Sequence, residues 1–169
     1  LTSFHNADER QNMELLVLIT GFLAFGIMEG VAWFAHKYIM HGALWTLHED
    51  HHIPPAQKSD GFFEQNDWFF LIFAIPSMLF YIFGGLYANA FFFAAAIGIT
   101  LYGVAYFIFH EIVFHRRLDL KWIKGWSGVY VRALRRAHAA HHRHLTHENG
   151  ECFGLLLFPS KYIKIEMEK

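Results

Sequence analysis

The stretch His36–His52, HKYIMHGALWTLHEDHH, carries five histidines in 17 residues: His36, His41, His48, His51 and His52. Its spacing is H-x4-H followed by H-x2-HH, and the same spacing returns downstream. His110 and His115 stand in HEIVFH, and His138, His141 and His142 stand in HAAHH. Ten of the chain's 13 histidines therefore fall into one duplicated pattern, with His5, His144 and His147 outside it in solvated or structural roles. On an α-helix, residues i, i+3 and i+4 share a face, so each H-x2-HH presents three imidazoles together. The H-x4-H pairs behave differently. Five residues turn a regular helix by about 140° beyond a full turn, so either the helix there is wider than an α-helix or broken, or the two side chains approach a site from different edges. His41 and His48 would lie about 10.5 Å apart along an unbroken helix, which a bend near Gly42 would relieve.

Outward from these clusters the chain is apolar. It is 54% hydrophobic and 18% aromatic, with 19 Phe. That composition fits a membrane protein better than a soluble domain. Leu15–Ala35 is an apolar run of 21 residues, about 31 Å as a helix and enough to cross a hydrocarbon core of about 30 Å. Runs over 68–86 and 90–109 have similar length, the former with Pro76 inside it. The expectation is a single all-α integral membrane domain over 1–169, with three spans (15–35, 68–86 and 90–109) and a helical cap built from the clusters at 36–52 and 110–142. Residues 1–12 are polar and predicted to be poorly ordered. Residues 53–67, with Pro54, Pro55 and Gly61, read as a loop. The aromatic stretch Trp122–Val131 predicts an interfacial helix, a fourth or re-entrant segment being the alternative. Three spans put both clusters on one side of the membrane. Arg116, Arg117, Lys121, Lys124, Arg132, Arg135, Arg136 and Arg143 mark that side as cytoplasmic. A net charge of −1 offers nucleic acid no bulk attraction, and the single Cys152 excludes an internal disulfide or a cysteine-rich metal site.

At 100° per residue, Tyr130, Val131, Leu134, His138, His141 and His142 fall in one arc of about 120°, and the arginines of that helix fall in another. The histidines thus extend a buried stripe, while the arginines face water or headgroups. Ten buried imidazoles need partners for both ring nitrogens, and an unpaired one costs about 1–3 kcal/mol. A metal ion takes one nitrogen of each ring while a carboxylate or carbonyl orients the other. Glu49, Asp50, Glu111, Asp119 and Glu148 are candidates for that orienting role. Glu29, an acid inside the first span, is a candidate for holding the site or its substrate. Ten ligands suit two ions. Imidazole suits zinc, copper, iron and nickel alike, but two adjacent histidine-rich sites suggest paired irons handling dioxygen.

The pattern resembles that of the fatty acid hydroxylase superfamily of membrane di-iron enzymes. More narrowly, the segments HKYIMHGALWTLHEDHH, NDWFFLIFAIPS, AYFIFHEIVFHRR, RALRRAHAAHHRH and GECFGLLLFP resemble those of bacterial β-carotene 3-hydroxylases. The resemblance extends over residues 13–164. It implies two non-haem irons held by the ten histidines, O2 as co-substrate, and electrons from a ferredoxin-type partner fed by NAD(P)H. It further implies hydroxylation of β-carotene and related carotenoids at the 3 and 3′ ring carbons, in a bacterial inner membrane. A rigid polyene can enter only from lipid. Phe22, Phe25, Gly26, Gly30, Gly98, Gly103, Tyr106 and Phe107 are the expected walls of its slot, ordinary close helix packing being the competing account of the glycines. The basic surface at Arg132, Arg135 and Arg136 is expected to meet an acidic donor or anionic headgroups. The nearest rival is a sterol or fatty-acid hydroxylase or desaturase with the same metal site. A metal transporter would place its ligands at mid-span, and a haem carrier would waste three adjacent imidazoles.

Overall fold

The computed structural model describes residues 2–53, 63–118 and 120–169, with the backbone alone at 2–6 and Lys124. Pro54, Pro55, Gly61 and Asp119 lie outside the described residues. Helix α1 (Thr2–Phe34) runs directly into a π-helical segment, π1 (Ala35–Ala43). Helix α2 (Trp45–His52) follows, then a 3-10 turn at Gln65–Asp67 and α3 (Trp68–Leu86). Helix α4 (Ala90–Tyr106) leads into a second π-helical segment, π2 (Phe107–Phe114). The chain ends with α5 (Lys121–Lys124), α6 (Val129–His141) and α7 (Lys161–Met167). Three helical stretches, Ala7–Ala43, Gln65–Leu86 and Ala90–Phe114, are long and apolar enough to cross a membrane. Their outward side chains are apolar, as lipid requires: Leu18, Phe22, Ile27, Leu71, Ile75 and Leu101 are all exposed.

Two expectations change here. The polar lead of the chain is helical from Thr2, continuing the first span. Arg10 and Glu14 pair one turn apart at 3.2 Å on its exposed surface, the spacing that supports a solvated helix. The stretch 122–131 is two elements, because α5 stops at Lys124 and α6 starts only at Val129. Gly125 and Gly128 bracket the interruption, as expected of a residue that weakens helices.

The chain forms two compact units. One comprises the chain up to Met28 together with Leu71–Gly103. Within it Gly21 and Gly98 meet so closely that a Cβ on Gly98 would collide with the Gly21 carbonyl. The Ser77 hydroxyl donates to the Ala96 carbonyl at 3.1 Å and lies 2.7 Å from Thr100 Oγ1. The other unit, Glu29–Phe70 with Val104–Lys169, contains every motif histidine. Its core packs Ala133 and Ala137 of α6 against Tyr162 of α7. Buried Glu166 of α7 accepts from Arg132 (3.1 Å), Arg136 (2.6 Å) and Lys169 (2.9 Å). Arg132 and Arg136 therefore hold α7 onto α6 while their side chains stay about 40% exposed.

Candidate metal centre

The duplicated H-x4-H pairs sit in the two π segments. A π-helix closes its hydrogen bonds five residues apart. Leu44 N–H accordingly donates to Ile39 O at 2.8 Å, and His115 N–H to His110 O at 3.1 Å. The wider turn carries residue i+5 back onto the face of residue i. His36 and His41 thus point together with ring centroids 5.1 Å apart, and His110 and His115 do so at 4.9 Å. Gly42 then leaves the helical region (φ −127°, ψ −109°), and the chain bends into α2. The bend brings His41 and His48 to 4.9 Å. A wider helix and a break at Gly42 both operate, one for each spacing.

Nine of the ten motif histidines gather into two constellations whose ligand atoms lie within 4.8 Å of one another: His36, His41, His48, His52 and His141 in the first, His51, His110, His115 and His138 in the second. Each H-x2-HH trio is therefore divided, contrary to a single three-imidazole face. On a helix, i+3 and i+4 fall on opposite sides of residue i by about 60° and 40°, which is enough to aim the middle histidine elsewhere. His51 leaves the first cluster for the second constellation, and His141 crosses the other way. Under the duplication His142 corresponds to His52. Its ring stacks on His52 at 4.3 Å and lies 4.5 Å from His138, at the boundary of the two sets.

The outer ring nitrogens are fixed by acceptors. In the first constellation Nδ1–H of His36 donates to Phe153 O (3.0 Å), of His41 to Leu145 O (3.0 Å), and of His141 to Glu151 O (3.1 Å). His48 Nδ1 lies 2.7 Å from Asn66 Oδ1. In the second, His110 Nδ1 meets Glu111 Oε1 at 2.7 Å and His51 Nδ1 meets Glu64 Oε2 at 3.2 Å. A carbonyl can only accept, so His36, His41 and His141 must carry their proton on Nδ1. Their Nε2 atoms are then bare lone pairs in the neutral ring. His41 Nε2 and His141 Nε2 nevertheless face each other at 3.1 Å, and His36 Nε2 faces His48 Nε2 at 3.1 Å. Protonation offers little relief. Burial, ahead of the other causes, lowers His48 and His141 to about 3 and His52 to about 2, and holds His51, His138 and His142 low as well. Two nitrogens bound at right angles to one ion at about 2.1 Å lie about 3 Å apart. The facing lone pairs therefore have the geometry of adjacent ligands on a cation. In the second constellation the Nε2 atoms of His51 and His110, with that of His142, are buried without a hydrogen bond among the described residues. The donor set fits metal ions in both places.

Of the other residues singled out from sequence, Glu111 contacts a ligand ring directly. Glu49 and Glu148 are exposed. Asp50 accepts instead from the Gln65 backbone N–H at 2.5 Å. Glu29 is buried, and its Oε1 accepts from Leu156 N–H (2.9 Å) and Leu157 N–H (2.7 Å). It thereby ties down the loop whose Glu151 and Phe153 carbonyls hold His141 and His36. Tyr106 packs its ring 4.8 Å from His110. A Cβ on Gly26 or Gly103 would meet nothing within 4 Å, so Gly21 and Gly98, not these two, make the close helix contact. Glu64, Asn66 and the carbonyls of Leu145, Glu151 and Phe153 escaped the sequence reading. Glu64 and Asn66 lay in the stretch read as a loop, and backbone acceptors carry no residue signature.

A family model for fatty acid hydroxylases matches residues 21–159. A beta-carotene hydroxylase of Pseudescherichia vulneris is 35% identical over 143 residues, 83% of this chain and 74% of that protein. One of a Paracoccus species is 33% identical over 136 residues, 79% of this chain and 78% of that protein. A chloroplastic beta-carotene 3-hydroxylase of Haematococcus lacustris is 41% identical over 133 residues, 76% of this chain and 38% of that longer protein. No solved structure matches. The chain belongs to the fatty acid hydroxylase family, where its relatives carry the beta-carotene hydroxylase name.

Proposed function

We propose that this protein is an integral membrane β-carotene 3-hydroxylase with two non-haem irons, one in each histidine constellation. The reading rests chiefly on the bare Nε2 atoms facing each other at 3.1 Å, which ask for a cation between them. The relatives' names supply the substrate class. Bound iron supplies activation of O2. One oxygen atom enters a ring C–H bond, the other leaves as water, and the balance takes two electrons and two protons. The electrons come from a ferredoxin-type donor fed by NAD(P)H.

The protein's own part is placement and exclusion. The Nδ1–H bonds aim each Nε2 inward and fix its tautomer. The Phe153 ring covers the first constellation, 5.6 Å from His36 and 5.1 Å from His141, and keeps water from it. Tyr106, Phe107 and Phe70 form an apolar aromatic group beside His110, with Phe70 6.2 Å from Tyr106 and 5.9 Å from Phe107. A β-ionone ring, which has no polar handle, can be recognised there by shape alone. The basic excess after His115 favours the cytoplasmic side of a bacterial inner membrane for the site, with the amino terminus opposite.

Product analysis tests the reading. Purified protein supplied with Fe(II), O2, ferredoxin, its reductase and NADPH should convert β-carotene to a monohydroxylated and then a dihydroxylated product. Turnover of sterols or acyl chains with none of β-carotene would overturn the substrate assignment. Fewer than two metal ions per active chain would overturn the two-iron site.

A further inference from the structure

The two constellations differ in what holds their rings. In the first, the four Nδ1 atoms with named partners all face neutral oxygens: three backbone carbonyls and the Asn66 amide. The fifth, His52 Nδ1, has no partner among the described residues. In the second, two Nδ1 atoms face carboxylates, His110 on Glu111 and His51 on Glu64. The carboxylates belong to one network. Glu111 Oε2 accepts from Arg117 Nη1 at 2.8 Å, Arg117 holds Asp67 at 2.6 and 2.8 Å, and Asp67 Oδ2 accepts from the Glu64 backbone N–H at 3.1 Å.

We propose that Glu111 and Glu64 make the metal positions unequal, so that the His51/His110/His115/His138 position binds its ion more tightly and keeps it in the higher oxidation state. The inference rests on the two-ion reading above. An anionic acceptor draws the Nδ1 proton outward and makes Nε2 a stronger donor to the metal, more than a neutral carbonyl does. Glu111 is 1% exposed, so little solvent screens its charge. An ion of higher charge gains more from that field than one of lower charge. Arg117 moderates the pull of Glu111, but Asp67 engages the same guanidinium from the other side. Glu111 and Glu64 are thus positioning residues that tune one ion through its ligands.

The test is metal binding and spectroscopy on the full chain in detergent. Anaerobic titration with 57Fe(II), and separately with Co(II), should give two equivalents per chain of unequal affinity. After oxidation by one electron per two irons, Mössbauer spectra should show one ferric and one ferrous environment, not a statistical mixture. Glu111→Gln and Glu64→Gln keep an acceptor oxygen and remove the charge. Each should weaken the tighter equivalent 10–100-fold, the usual effect of losing such a partner, and leave the weaker one unchanged. Asn66→Asp places a charge on His48 and should narrow the gap from the other side, a gain that disturbed folding cannot mimic. Two equal equivalents in the wild type, or Gln variants that change both equivalents or neither, would overturn the inference and spare the two-iron reading. Fewer than two equivalents in the wild type would overturn both.

Discussion

Gly154→Ala should weaken binding of the ion of the first constellation while sparing that of the second. A Cβ on Gly154 would lie 2.6 Å from Glu29 Oε1 and 3.0 Å from the Leu157 carbonyl. The carboxylate end of a free glutamate would swing away at little cost. Here that oxygen is held at 2.7 and 2.9 Å by two backbone N–H groups, and the carbonyl behind it is main chain. Making room means breaking hydrogen bonds to a charged acceptor, worth about 1.5–3 kcal/mol each. The loop then loses its anchor at Leu156 and Leu157, three and four residues past Phe153, whose carbonyl fixes the His36 tautomer. Releasing such an orienting contact costs about 10–100-fold in metal affinity. The Glu111 and Glu64 contacts of the second constellation lie on other segments and should persist. Titration with Co(II) followed by absorption, with the bound metal counted after gel filtration, should show one equivalent at wild-type affinity and one weakened. Wild-type affinity for both ions would refute the chain of reasoning from Gly154 through Glu29 to His36.

Because the middle histidines are exchanged, His51→Ala should weaken the ion shared with His110, His115 and His138, and His141→Ala the ion shared with His36 and His41. Combining His51→Ala with Glu111→Gln should affect one equivalent only, and loss of both ions in that pair would contradict the exchange. Acid should destabilise the metal-free protein. His48 and His141 are held near 3 when folded, so below about 6.5 the unfolded chain takes up protons that the folded one refuses. Stability is therefore whole above that pH and falls below it, by about 1.4 kcal/mol per pH unit for each such histidine. The melting temperature of chelated protein should drop between pH 7.5 and 5.5, and a flat profile would refute the buried neutral rings. If Gly103 borders the polyene slot, Gly103→Leu should lower β-carotene turnover at least tenfold with both ions retained. Retained turnover would remove it from the slot.

How much of this was legible in the sequence depends on where each signal resides. The spans were readable because lipid demands long apolar runs. The histidine clusters were readable because the spacing is duplicated, and the geometry of H-x4-H left a wider helix, a break or an approach from different edges, of which the structure takes the first and adds a break at Gly42. The division of the ligands was not readable. On an ideal helix, 48, 51 and 52 share one face, and only partners arriving from π2 and α6 decide that 51 turns to the second constellation. The pairing of Arg132 and Arg136 with Glu166 was hidden for the same reason. Helical phase separates them correctly from the histidines, but phase cannot reveal that Glu166, 30 residues beyond Arg136, will pair with them. The orienting partners show the limit most clearly. Glu111 was found because it adjoins a ligand in sequence. Glu64 and Asn66 reach theirs from the turn that starts α3. The carbonyls of Leu145, Glu151 and Phe153 belong to the backbone, which every residue has. A ligand set is written in residue types and can be read from them. What sets those ligands' tautomers and charge is written mostly in chain path, so the inequality of the two metal positions emerges only once the path is known.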